Sequence, residues 1–172
     1  MIKKGLKGSF GFTLIEILVT ISIMGILTSL MAVNFSVGKK AGEVRNEALL
    51  LTQAIRELQT RAISGELINS VDYPSSYFFE VQGCSIGCDS YILNAGLNSG
   101  ATSTPKMVRL NNIRIVFADD KMHKLEFLTP RGYATSTDFL EQEMIIKVQH
   151  KDDAGITKNI VINKISGRVD VK

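Results

Sequence analysis

The chain has no tryptophan, three prolines and two cysteines in 172 residues. Two cysteines cannot staple a disulfide miniprotein, and they are too few for a structural zinc site without histidine or acidic help. His123 and His150 are both remote from them in sequence. The scarcity of proline excludes a collagen-like chain, and 45% apolar with 22% charged residues argues against disorder. No Walker loop, dinucleotide fingerprint or HExxH motif occurs. The body of the chain also lacks a charge excess. The formal net charge is +3, but Lys3, Lys4 and Lys7 lie in the first eleven residues, and the remainder carries 17 basic and 17 acidic side chains. A broad basic surface for nucleic acid or anionic lipid is therefore not expected.

One long apolar run is present. Phe12 to Phe35 spans 24 residues whose only ionisable side chain is Glu16. As a helix it is about 36 Å long, enough to cross a hydrocarbon core of about 30 Å. The preceding lysines predict a cytoplasmic N-terminus, which puts the C-terminal domain beyond the cytoplasmic membrane. No other stretch is apolar for 18 residues, so a single pass is expected. The first proline is Pro74, and no proline kink is predicted in this segment. Thr20, Ser22, Thr28 and Ser29 are expected to bond back to helix carbonyls.

After the short passage Ser36-Val37-Gly38-Lys39-Lys40, residues 41–64 read as a second helical stretch continuing the first. Ala41, Val44, Ala48, Leu51, Ile55, Leu58 and Ala62 recur every three or four residues, an apolar stripe that core packing explains. Glu57 and Arg61 form an i,i+4 pair, and Gly65 is a C-terminal stop. Beyond Pro74 the texture changes to short β-rich runs at 77–81, 90–93, 107–110 with 113–117, 124–128, 144–150, 158–163 and 168–171. Their alternation predicts an antiparallel sheet with one face on the helix stripe, an α+β architecture. Residues 152–155 and 164–167 read as hairpin loops, and 97–105 as an exposed, mobile polar loop.

The start of the apolar run carries the most specific signal. A basic leader, Gly11, then Phe12-Thr13-Leu14-Ile15-Glu16 and an unbroken apolar tail resemble the type IV prepilin signature. The resemblance implies cleavage by prepilin peptidase between Gly11 and Phe12, N-methylation of Phe12, and a pilin fold. Residues 1–11 would be the leader peptide, 12–35 the transmembrane and filament-core helix, and 36–172 the extracytoplasmic globular domain. An acid at the bilayer centre costs about 2.5–3.5 kcal/mol and normally has a partner. The new Phe12 amine, on the same chain or a neighbour, would be that partner for Glu16 and would set the axial register of the filament. Other pilin subunits, an inner-membrane assembly platform and the bilayer before assembly are the implied partners. No cofactor is implied.

Three further segments narrow the resemblance. Glu57–Ile63, Leu125–Gly132 and Ile160–Val169 resemble the GspH/FimT group of minor pilins and pseudopilins. In FimT-like DNA-uptake pilins a closing Gly-Arg-x-Arg motif contacts phosphates. Here it reads Gly167-Arg168-Val169-Asp170, and the acid repels phosphate and competes for the Arg168 guanidinium. Nucleic acid is thus a disfavoured partner.

Cys84 and Cys88 lie where disulfides persist and can close a small loop or remain thiols. Gly83-Cys84-Ser85-Ile86-Gly87 matches G-x-S-x-G, with Asp119, Asp120 and His123 following in hydrolase order, but a strand rather than a helix is expected after it. Neither Asp119-Asp120 nor Asp152-Asp153 has EF-hand spacing, and both histidines are expected at the surface. The reading is a non-enzymatic filament subunit, a minor pilin or pseudopilin of a type IV pilus or type II secretion pseudopilus. The rivals are a tip-located binding pilin for DNA, cargo or a surface, and a membrane-anchored serine hydrolase using Ser85.

Overall fold

The computed structural model describes residues 12–67, 73–81, 87–97, 102–117, 123–136 and 142–172, apart from the side chains of 32–34. The chain divides into two compact units, the first ending at Lys39 and the second Lys40–Lys172. A single helix, α1 (Leu14–Ser64), contributes to both, so the 36–40 passage is helical and not a break.

In the first unit α1 is apolar all round and uncovered, with Leu14, Ile17, Ile21, Met24, Leu27 and Met31 all exposed. It is long and apolar enough to cross a membrane. Its hydroxyls are satisfied internally: Thr20, Ser22, Thr28 and Ser29 donate to the carbonyls of Ile17, Leu18, Met24 and Ile26 at 2.7–2.8 Å. Backbone and hydroxyl groups that already bond within the helix need no water, which is the condition for placing it in lipid.

In the second unit the expected stripe is buried from Val44 through Ala48, Leu51, Ile55, Leu58 and Ala62, while Ala41 is exposed. The helix stops as read. Gly65 has φ +62°, and the Glu66 amide reaches back to the Arg61 carbonyl at 3.3 Å, a Schellman closure. Arg61 pairs with Glu57 at 2.7 Å and with Glu66 at 3.6 Å.

Two antiparallel sheets, not one, share the core with this stripe. The first comprises β1 (Pro74–Val81), β2 (Ser90–Leu97), β3 (Lys106–Arg109), β5 (His123–Leu128) and β6 (Tyr133–Thr135), in the order β3-β2-β1-β5-β6. The second is β4 (Ile113–Val116), β7 (Glu143–His150), β8 (Asp153–Asn163) and β9 (Val169–Val171), in the order β4-β7-β8-β9. Strand β6 is too short to have shown as an alternating run. The sheets are tied where Cys88 and Ile115 exchange backbone hydrogen bonds of 2.7 and 2.8 Å. Gly87 makes that junction possible: its φ is +106°, and a Cβ there would lie 2.9 Å from Arg114 Cδ.

Central strand β1 carries Tyr77, Phe79 and Val81 inward, opposite Phe127, Leu125 and His123 of β5. The β7–β8 turn is tighter than expected, since Asp153 already pairs with His150 and only Lys151 and Asp152 turn. The described part of the 97–105 loop is pinned back. Ser103 donates its amide to Ala95 at 2.9 Å and its hydroxyl to Asn94 Oδ1 at 2.7 Å.

Candidate functional site

Gly11 lies outside the described residues, and Phe12 is 80% exposed just before the helix. Thr13 is the N-cap. Its Oγ1 accepts from the Glu16 amide at 3.3 Å, and Glu16 Oε2 accepts from both the Thr13 amide and the Thr13 hydroxyl at 3.3 Å. This is a capping box, with each residue satisfying the other's backbone donor. Its T-x-x-E signal was present in the sequence, although Glu16 there invited only a reading as an ion-pair partner and Thr13 none.

The cap has chemical consequences. It holds the carboxylate at the positive end of the helix dipole and supplies donors that offset part of its desolvation cost in lipid. It also directs the charge back along the chain to residue 13, one residue from the nitrogen that cleavage after Gly11 would turn into an amine.

Residues 6–32 match the family described as the prokaryotic N-terminal methylation motif. The match covers the N-terminal segment alone, and its motif is the kind that type IV pilins and pseudopilins carry there. No curated protein and no solved structure matches the chain. A pilin-type N-terminus marks a prepilin-peptidase substrate that assembles with other pilin subunits, and the apolar start of α1 fits a membrane-anchored pilin.

Of the three segments singled out in the sequence, Glu57–Ile63 is part of α1, and the other two come down on the same flank of the helix. Arg56 Nη2 donates to the Val169 carbonyl at 2.6 Å. Gly167, at φ +64°, lies so close to the Gln59 side chain that a Cβ would overlap it. Gly132, at φ +65°, leaves a Cβ only 2.5 Å from Ile63 Cγ1. Arg56, Gln59 and Ile63 follow one another at helical spacing, so this flank is a dock for the β5–β6 and β8–β9 turns. The arrangement gives the motif glycines a packing role: they let backbone approach the helix where a side chain would not fit.

Arg168 is 74% exposed, but its Nε pairs with Asp170 Oδ2 at 2.8 Å, the competition expected from the Gly-Arg-Val-Asp sequence. Cys88 is buried and disulfide-bonded, and Cys84, the other cysteine, lies outside the described residues. Ser85, Asp119 and Asp120 lie outside them as well, and the segment that follows the G-x-S-x-G stretch is strand β2.

Both histidines are buried, contrary to the surface position expected. His150 Nδ1 accepts from the Asp152 amide at 3.1 Å, and its Nε2 sits 3.4 Å from Glu43 Oε2. His123 stacks on Phe117 with ring centroids 3.6 Å apart. Sequence alone missed this because both histidines fall at inward positions of strands that also carry polar residues. Among the described residues no three His, Cys, Asp or Glu side chains cluster as metal ligands.

Desolvation raises the carboxyl of Glu47 and the phenols of Tyr77 and Tyr91, with Glu66 adding to the effect on Tyr77 and Glu47 to that on Tyr91. A phenol raised in the folded state contributes stability below its ordinary value, and that stability is lost as pH rises through the folded value.

Proposed function

We propose that the chain is a minor pilin or pseudopilin, cut after Gly11, methylated on Phe12, and built into a type IV pilus or type II secretion pseudopilus through α1. The observation that carries this is the methylation-motif match over 6–32 together with an apolar helix that starts at Leu14, behind a Thr13 cap that holds its acid. Energy for assembly would come from elsewhere. The chain supplies the membrane helix, the Glu16 charge and the β-rich outer domain. After cleavage the Phe12 amine becomes a second partner for the Glu16 carboxylate, in cis or on a neighbouring subunit. Of the binding alternatives, DNA is disfavoured by the Arg168–Asp170 pair.

The test is the intact mass and N-terminal sequence of membrane-extracted protein from cells with and without prepilin peptidase. We expect a chain beginning at N-methylated Phe12 only when the peptidase is present, and full-length protein from Gly11→Val in either background. A chain that retains Met1 with active peptidase, or one cut beyond Phe35, would overturn the proposal. The same spectrum tests a Cys84–Cys88 bridge, which we include in the proposal: reduction should add the mass of two hydrogens. An unchanged mass would instead leave the cysteines unpaired with one another.

A further inference from the structure

The backbone tie between the two sheets is one residue long on each side. Cys88, just ahead of β2, donates its amide to the Ile115 carbonyl at 2.8 Å and accepts from the Ile115 amide at 2.7 Å. Strand β4 lies at the edge of the second sheet, with β7 along its other side. In an antiparallel ladder a residue turns both backbone groups to the same side, so Ile115 gives its amide and carbonyl to Cys88, whereas Arg114 and Val116 face β7. Asp89 extends the grip by one residue: its carbonyl accepts from the Leu110 amide at 2.7 Å, and its carboxylate lies 3.5 Å from Lys151 Nζ.

Such a tie is weak by itself. Two neutral hydrogen bonds, made in exchange for bonds to water, contribute net no more than the ordering of the Gly87–Cys88 backbone costs, and glycine costs more to order than any other residue. A glycine is nonetheless required there, since its φ is +106° and a Cβ would lie 3.2 Å from the Ile115 carbonyl oxygen. What else holds Cys88 is covalent. It is disulfide-bonded and 5% exposed, in the core that α1 shares with both sheets. A cross-link restricts the open forms of its segment and so favours the bridged one.

We propose that the disulfide of Cys88 is a redox-sensitive clamp on the sheet junction. Oxidised, it keeps Gly87 and Cys88 against β4; reduced, it lets this bridge open while each sheet keeps its own ladder. The clamp rests on the Cys84–Cys88 bridge included in the proposed function. A dithiol reductant supplies the two electrons: one thiolate displaces a cysteine sulfur, its second thiol closes the reductant's own disulfide, and both cysteines end as thiols.

The test is amide hydrogen exchange of the full-length protein in detergent micelles, resolved by NMR, with and without dithiothreitol. The Ile115 amide is the reporter, because its acceptor is Cys88 and not β7. Its protection is expected to fall at least about tenfold on reduction, while that of the Arg114 and Val116 amides changes less than about twofold. Cys84→Ser, which leaves Cys88 in place, should show the low Ile115 protection without reductant and no further response to it. Unchanged Ile115 protection in a sample whose mass has risen by two hydrogens would overturn the clamp and leave the bridge standing. A mass that reduction does not change would remove the bridge and the clamp with it. A parallel fall at Arg114 and Val116 would also overturn the clamp, since the disulfide would then stabilise the whole unit and not the junction.

Discussion

Phe79→Ala is expected to lower the unfolding free energy of the C-terminal unit by about 3–5 kcal/mol, the range for deleting a fully buried aromatic ring. Phe79 is fully buried on β1, the central strand of the five-stranded sheet. Leu93 of β2 stands opposite it on one side and Leu125 of β5 on the other, and the Tyr91 ring lies 5.3 Å away. A strand hydrogen-bonded on both edges cannot slide inward to fill the cavity, so the packing contacts are lost outright. Because the chain lacks tryptophan, denaturant unfolding can be followed by tyrosine emission, with Tyr77 and Tyr91 as buried reporters. Ile145→Ala on the exposed face of β7 is the control and should cost less than about 1 kcal/mol. A Phe79→Ala loss no larger than the control would show that this core is not the one described.

Gly132→Ala should cost about 2–5 kcal/mol, for two separable reasons. An L residue at φ +65° pays about 1–2 kcal/mol for the left-handed conformation. The added methyl also meets Ile63 Cγ1 at 2.5 Å, and moving the turn or the isoleucine adds an overpacking cost of about 1–3 kcal/mol. Ile63 is 55% exposed, so Ile63→Ala alone removes little buried area. The double variant should regain the steric part and keep the conformational part, giving a coupling of about 1 kcal/mol or more in a double-mutant cycle. Strict additivity would mean that the β5–β6 turn does not dock on α1.

Both predictions turn on contacts that no local pattern announces, whereas much of the architecture was readable. The apolar run with a single acid, the stripe from Val44 to Ala62, the Gly65 stop and the Glu57–Arg61 pair are consequences of residues three or four apart, and local periodicity is where sequence speaks most directly. The start of the helix was legible for the same reason, since Gly11 to Glu16 are neighbours in the chain. So was the weakness of the closing Gly-Arg-Val-Asp stretch, because Arg168, just before β9, and Asp170 within it are two residues apart in the chain and close enough to pair.

What sequence could not resolve was long-range. Alternation in Ile113, Ile115 and Phe117 says that one face is buried, but not that β4 leaves the first sheet to pair with β7. His150 and Asp152 look like polar surface residues until the β7–β8 hairpin turns His150 inward toward Glu43 on α1. Likewise Gly132 and Gly167 read as ordinary turn glycines, and only the packed helix shows that Ile63 and Gln59 occupy the space a side chain would need. Sequence by itself determined the kind of N-terminus and the elements other than β6, since both depend on residues within one or two turns of each other. The tertiary structure decided which flank of α1 is closed by the two glycine turns, because that depends on contacts between residues far apart in the chain.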